Sequence, residues 1–115
     1  MITLETINEK LFLKCKCCWE KLPREVTGGY AGDLLSDVMA NSAAGDVWVT
    51  RQVHQNIVAV AALKEHAAII VVQGASPEKE TLDKATKEGI PIFVADLSEF
   101  EVVGRLYQLL HPSQG

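Results

Sequence analysis

Aromatic side chains are scarce in this 115-residue chain, at 6% against 48% for all apolar residues. A core built from it therefore rests on Val, Ile, Leu and Ala. Four prolines and eight glycines are too few for a collagen-like or low-complexity architecture. With 23% charged residues, the apolar fraction also excludes a wholly disordered chain. The length suits one domain, because two independent cores would each fall near the size where a core becomes marginal.

Cysteine is sparse as well, confined to Cys15, Cys17 and Cys18. An odd, tightly clustered set is no disulfide framework. Cys15 and Cys18 form a C-x-x-C, but a structural zinc site needs four ligands and no second ligand pair follows. A thioredoxin-type motif would lie between a strand and the helix after it. Residues 11–17 instead alternate like a strand, with Leu11, Leu13, Cys15 and Cys17 on one face. Small hydrophobic packing is the expected role, with no metal and no cofactor.

Excess basic charge is the third absence. The net charge is −4, divided as +2 over residues 1–24 (five Lys/Arg against three Glu) and −6 over the remainder (six against twelve). Nucleic acid wants a basic face, so no such partner is expected. The N-terminus shows no export signal, and the apolar run Ala67–Val72 is far too short to cross a bilayer. A cytoplasmic protein without a membrane partner is the expectation.

What is present is a regular alternation of element types. Thr3 to Lys10 reads as a short helix with Thr3 as N-cap, followed by the strand 11–17. Three glycines within Glu25–Gly32 mark a place where the backbone turns sharply or approaches another group closely. Asp33 can cap a helix through Leu34, Leu35, Val38 and Met39. Asp46–Thr50 has strand composition, His54–His66 reads as a helix ended by His66, where a cation suits the helix dipole, and Ala67–Val72 is a continuous apolar strand. Ser76 as N-cap and Pro77 at the first helical position open a further helix that Gly89 terminates. Ile90–Ala95 is another strand, and Ser98 caps a last helix carrying Val102, Leu106, Leu109 and Leu110. Continuous apolar strands with helix-length connections indicate parallel strands covered on both faces. The expected fold class is α/β: one domain over residues 1–115, with a mostly parallel sheet and helices packed on its faces.

In such sheets ligands bind beyond the carboxyl ends of the strands, which selects four places, residues 27–33, 50–56, 73–76 and 96–98, the first two of them chemically rich. Thr27, Gly28, Gly29 and Tyr30, ahead of Gly32 and Asp33, place backbone N–H groups near a helix start, which can cradle an anion. The alternative is a tight strand-to-helix turn capped by Asp33. The glycine spacing is neither G-x-G-x-x-G nor a P-loop. Downstream, Thr50, Arg51, Gln52, His54 and Asn56 concentrate hydrogen-bonding side chains. Arg51 suits a phosphate or carboxylate, and Gln52 and Asn56 an amide or base edge. His54 is the best single candidate for proton transfer, but no nucleophile or carboxylate is paired with it by sequence, so no catalytic residue is assigned. Asp33, Ser36 and Asp37 share the early helix, yet magnesium pockets usually need substrate phosphates too.

The segment Glu25–Tyr30, with Asp33–Asn41 after it, resembles the signature of DRTGG domains. Gly45–Thr50, Gln52 and His54–Ala61 continue the likeness, as do Glu88–Ile92, Phe100 and Gly104–Tyr107, over roughly residues 20–110. The motif's initial Asp-Arg reads Glu25-Val26 here. Related domains form the N-terminal part of HPr kinase/phosphorylase, and occur inside some phosphate acetyltransferases and beside CBS domains. The resemblance implies an α/β fold like that of the HPr kinase N-terminal domain, and a regulatory or ligand-sensing role. In the HPr enzyme the kinase chemistry belongs to a separate P-loop domain, whose motif this sequence does not contain.

The expected function is thus a non-enzymatic regulatory domain that binds a nucleotide or other small anionic ligand. A homo-oligomer, with a dimer favoured, follows from the large apolar content of a short chain, which tends to bury a face against a copy of itself. One alternative is an adaptor whose polar loop contacts a protein partner. The other is a small enzyme with His54 as general acid/base and Arg51 holding an anionic substrate.

Overall fold

Alternate side chains of the apolar runs enter two different layers. In the computed structural model, which describes residues 1–112, the order is β1 (Ile2–Thr3), α1 (Leu4–Lys10), β2 (Lys14–Cys17), a 3₁₀ turn (Trp19–Lys21), β3 (Glu25–Val26) and β4 (Gly28–Ala31). It continues with α2 (Leu35–Asn41), β5 (Asp46–Thr50), α3 (Asn56–Lys64), β6 (Ala68–Val71), α4 (Lys79–Glu88), β7 (Ile92–Val94) and α5 (Glu99–Leu110). The last three residues of the expected 1–115 span lie outside the described residues. The main sheet has the order β2-β7-β6-β5-β4; β2 runs antiparallel to β7 and the other pairs are parallel. A separate antiparallel pair joins β1 and β3.

Val47, Val49, Ala68, Ile70 and Phe93 pack on one side against Leu4 and Ile7 of α1 and Val102 and Leu106 of α5. Trp48, Ile69, Val71 and Ile92 point the other way, to Val38 of α2, Ile57, Val58 and Ala61 of α3, and Ala85 of α4. Both sheet faces are dry, so the strands lose the apolar–polar alternation of a half-buried strand. Burying each such Leu, Ile or Phe side chain contributes roughly 1.5–3 kcal/mol. The expected α/β fold with a mostly parallel sheet is what the chain adopts.

Local signals hold where no distant group competes. Thr3 Oγ1 accepts from the Thr6 N–H at 3.4 Å, and Ser98 Oγ accepts from the Glu101 N–H at 3.2 Å. Gly89 ends α4 with φ at +70°.

Other boundaries move for tertiary reasons. Helix α4 begins at Lys79 rather than at Pro77, because the Glu78 N–H donates to Val53 O at 3.2 Å and the Thr81 hydroxyl donates to the same carbonyl at 2.7 Å. Helix α3 spans Asn56–Lys64, shorter than the expected 54–66, and Glu65 caps it with φ at +57°. Strand β2 covers only residues 14–17, and its pairing with β7 is bulged between Cys15 and Cys17. Leu11, Leu13 and Cys15 pack on the α1/α5 side, whereas Cys17 and Cys18 belong to the opposite layer. The expectation of one shared face for Leu11, Leu13, Cys15 and Cys17 is therefore corrected: an inserted residue reverses side-chain direction. The Cys17 and Cys18 thiols donate to Ile90 O and Ala85 O, each at 3.6 Å, as packed residues with weak donors.

Candidate functional site

Because β4 to β7 are parallel, their carboxyl ends lie on one side and bring four connections together. Gly32 is pinned to β5 from both directions: its N–H donates to Val49 O at 3.1 Å, and its carbonyl accepts from Trp48 Nε1 at 2.8 Å. The connection after β6 is tied to that after β7, with the Gln73 N–H donating to Leu97 O at 2.9 Å and the Gly74 N–H to Ala95 O at 2.8 Å. Gln73 reaches this position with φ at +61°.

Asp33 is the centre of this junction. Its Oδ1 accepts from the Thr50 hydroxyl at 2.7 Å and from the Arg51 N–H at 2.8 Å. Its Oδ2 lies 3.6 Å from Arg51 Nε, and its carbonyl accepts from Gln52 Nε2 at 3.0 Å. Thr50 Oγ1 in turn accepts from the Gln52 N–H at 3.1 Å, and Arg51 Nη1 donates to Gln73 Oε1 at 3.3 Å. Partial burial pushes the Asp33 carboxyl upward, but the hydrogen bonds from Arg51 N–H and Thr50, with the Arg51 charge, outweigh it and hold the group below its ordinary value. Glu99, at the start of α5, moves the other way: burial raises it and the Asp33 charge adds to the rise, against a smaller pull from Arg51.

This arrangement corrects the helix-capping role expected of Asp33. Leu34 is the residue before α2, no side chain caps that helix, and the Asp33 carboxylate is spent on the neighbouring strand. Two hydrogen bonds from Thr50 and Arg51 outcompete one cap bond within its own chain segment.

The expected anion loop is an edge strand. Gly28–Ala31 pairs with β5 from Gly28↔Asp46 to Ala31↔Val49, and neither Gly28, Gly29 nor Gly32 has positive φ. The glycines serve close approach instead. A Cβ on Gly29 would sit 3.3 Å from Leu106 Cδ2 and 3.5 Å from Leu110 Cδ1, under α5. Thr27 and Gly28 lie at the amino end of the sheet, where the Thr27 N–H donates to Gly45 O at 3.1 Å. They do not join Arg51.

The remaining candidates fall in three places. Thr50, Arg51 and Gln52 are brought together at the junction, and Arg51, with its side chain 60% exposed, keeps guanidinium donors toward solvent. His54 and Asn56 open α3: His54 Nδ1 accepts from the Asn56 N–H at 3.1 Å, which makes this histidine a helix-start residue. Tyr30 does not flank the junction; its hydroxyl donates to Asp37 Oδ2 at 2.6 Å, and that carboxylate raises the phenol above its ordinary value. Beside it, a groove of about 150 Å³ between β4 and α5 is lined by Gly29, Tyr30, Ala31, Leu106, Tyr107 and Leu110, among others.

The sequence points to Asp33 as a cap rather than as a junction residue, to Gln73 only within a segment after a strand end, and to Glu99 not at all. The signal available for them was their position after or beside strand carboxyl ends. His66 is also corrected. It is no cation at a helix end but a buried ring, 2% exposed, edge-on to Trp48 with ring centroids 5.7 Å apart. Ser42 Oγ donates to Val38 O at 2.6 Å, so at its 2.8 Å contact with His66 Nε2 it accepts and the proton sits on Nε2. Burial lowers the His66 pKa, partly offset by the Asp46 charge.

The chain superimposes on the CBS and DRTGG domains of the regulatory region of Clostridium perfringens pyrophosphatase, solved in complex with the activator diadenosine tetraphosphate. The TM-score is 0.73 over 92% of this chain, at 18% sequence identity. The fold is DRTGG-like. The match takes in 46% of the pyrophosphatase chain, so the DRTGG-like unit described here spans about half its length. No protein-family model matches the sequence, and no curated protein matches it. The structural neighbour is a regulatory region, and within the DRTGG-like fold the polar junction occupies the position where open α/β sheets take ligands. Among the described residues no helix is long and apolar enough to cross a membrane.

Proposed function

We propose that this domain is a non-catalytic regulatory module that senses a nucleotide or other small anionic ligand and works as a homo-oligomer. The observation that carries the reading is the junction at the strand carboxyl ends, where Arg51 is braced by Asp33 and Gln73 while its outer donors face solvent. A braced guanidinium binds phosphate or carboxylate in a bidentate fork with less ordering cost than a loose one. Gln52, held beside Arg51 by the buried Thr50, supplies an adjacent hydrogen-bonding side chain, and His54 and Asn56 at the start of α3 form the outer margin of the proposed contact region. The complex of the structural neighbour with diadenosine tetraphosphate supports the nucleotide class. Three free thiols fit a reducing, cytoplasmic location, which belongs to the same proposal.

Calorimetric titration with ATP, ADP, AMP and diadenosine tetraphosphate, and with inorganic phosphate, tests this reading. At least one should bind to the wild-type chain, and Arg51→Ala should weaken it about tenfold or more, the scale of a lost charge-assisted fork. The absence of binding heat and of any ligand-induced rise in melting temperature across the whole set would overturn the proposal.

A further inference from the structure

The two edges of the sheet are unlike. Strand β2 exposes Lys14 and Lys16 and carries the bulge between Cys15 and Cys17, devices that discourage strand addition. Strand β4, at the opposite edge, reads Gly28-Gly29-Tyr30-Ala31. It has no charge, no proline and no bulge in its register with β5, and Gly29 and Ala31 are exposed. Alongside it, α5 carries a second apolar stripe at helical spacing, Phe100, Val103, Tyr107 and Leu110, distinct from the buried Val102 and Leu106. Phe100 is 89% and Tyr107 62% exposed. The groove between edge and stripe, at about 150 Å³, is smaller than the roughly 300–1,000 Å³ of small-molecule pockets and is of side-chain size.

We infer that the β4 edge and the outer stripe of α5 form one face, and that its occupant is a second copy of this chain. Antiparallel pairing of β4 with itself joins two five-stranded sheets across a two-fold axis, and an aromatic side chain of each stripe enters the other copy's groove. The inference rests on the homo-oligomer reading above and supplies its surface. Charge selects the self-contact. A two-fold interface sets a patch against its own copy, so an acidic chain of net −4 needs a patch without net charge there. None of the four strand residues or four stripe residues is ionic at neutral pH. A four-residue edge offers few backbone hydrogen bonds, so the aromatic stripe supplies most of the affinity.

Sedimentation velocity on the full chain over a concentration series tests the face. The wild type should run at twice the 12.6 kDa chain mass. Phe100→Glu, Tyr107→Glu and Ala31→Lys should each weaken dimerisation roughly tenfold or more. Leu63→Glu, an exposed apolar position on α3, should leave it unchanged. Circular dichroism melts establish that each variant folds; if Ala31→Lys does not, the two α5 variants decide. A wild-type dimer insensitive to the α5 variants, or broken by Leu63→Glu, overturns this face and leaves the homo-oligomer reading standing. A wild type that stays monomeric at every concentration overturns both.

Discussion

Replacing Asp33 with alanine removes the acceptor on which the strand-end junction is built. Two hydrogen bonds are lost at once, from the Thr50 hydroxyl at 2.7 Å and the Arg51 N–H at 2.8 Å. A hydrogen bond to a charged acceptor contributes about 1.5–3 kcal/mol when water cannot substitute. That full value applies to Thr50, which is 0% exposed, whereas the Arg51 N–H can turn to water. The Arg51–Asp33 ion pair, at 3.6 Å with side chains 60% and 35% exposed, adds about 0–1 kcal/mol. The expected loss is about 2–3 kcal/mol, or roughly 10–20 °C in melting temperature for a domain of this size. Urea unfolding followed by circular dichroism at pH 7 measures it as a shift in midpoint with unchanged slope. The carboxyl sits below its ordinary 3.8 in the folded chain, so the stabilisation is present above that pH and is lost as pH falls further. The gap between wild type and Asp33→Ala should therefore narrow below about pH 3.8. A loss under about 0.5 kcal/mol at pH 7 would refute the reasoning, because Thr50 would then have a second partner as good as Asp33.

Two further perturbations probe other parts of the scaffold. His66 is held neutral by burial, below its ordinary 6.5, so the unfolded chain takes up the proton first as pH falls. Stability should be full above pH 6.5 and decline below it, and His66→Gln should flatten that part of the urea-unfolding profile; equal slopes in both proteins would show that folding does not lower the His66 pKa. Gly45 adopts φ at +85° and its missing Cβ would collide with Thr27 Oγ1, so Gly45→Ala should cost about 2 kcal/mol or more, read as a lowered thermal midpoint. An unchanged midpoint would mean that the β5 entry relaxes freely.

Features set by nearby residues were legible in the sequence. Ser98 caps its own helix, Gly89 ends its own, and the apolar runs Ala67–Val72 and Ile90–Ala95 announce strands dry on both faces. Features set by residues far along the chain were not. Asp33 looks like a cap until Thr50 and Arg51 arrive beside it, seventeen and eighteen positions later. Ser76-Pro77 looks like a helix start until Val53 O claims Glu78 and Thr81. Gly28 and Gly29 look like a turn because crowding by Asp46, Leu106 and Leu110 leaves no local trace. At the candidate site, Arg51 and Gln52 stood out by their polarity alone. Gln73, marked only by its place after a strand, and Glu99, unmarked, join them through parallel pairing.

The bulge in β2 also bears on how the thiols behave as chemical groups. It gives Cys15 to one core layer and Cys18 to the other, so the C-x-x-C spacing does not act as a unit. Burial, reinforced by Cys17, pushes the Cys18 thiol up to about 12, and burial also raises Cys15. Only a thiolate attacks an alkylating reagent or a disulfide, so at neutral pH folding slows the reaction of both sulfurs, most of all at the buried Cys18. Cys18 holds to Ala85 O on α4, and modification requires that contact to open. Its labelling rate by a thiol reagent then counts excursions of Cys18 away from α4, making this native cysteine a clock for local opening.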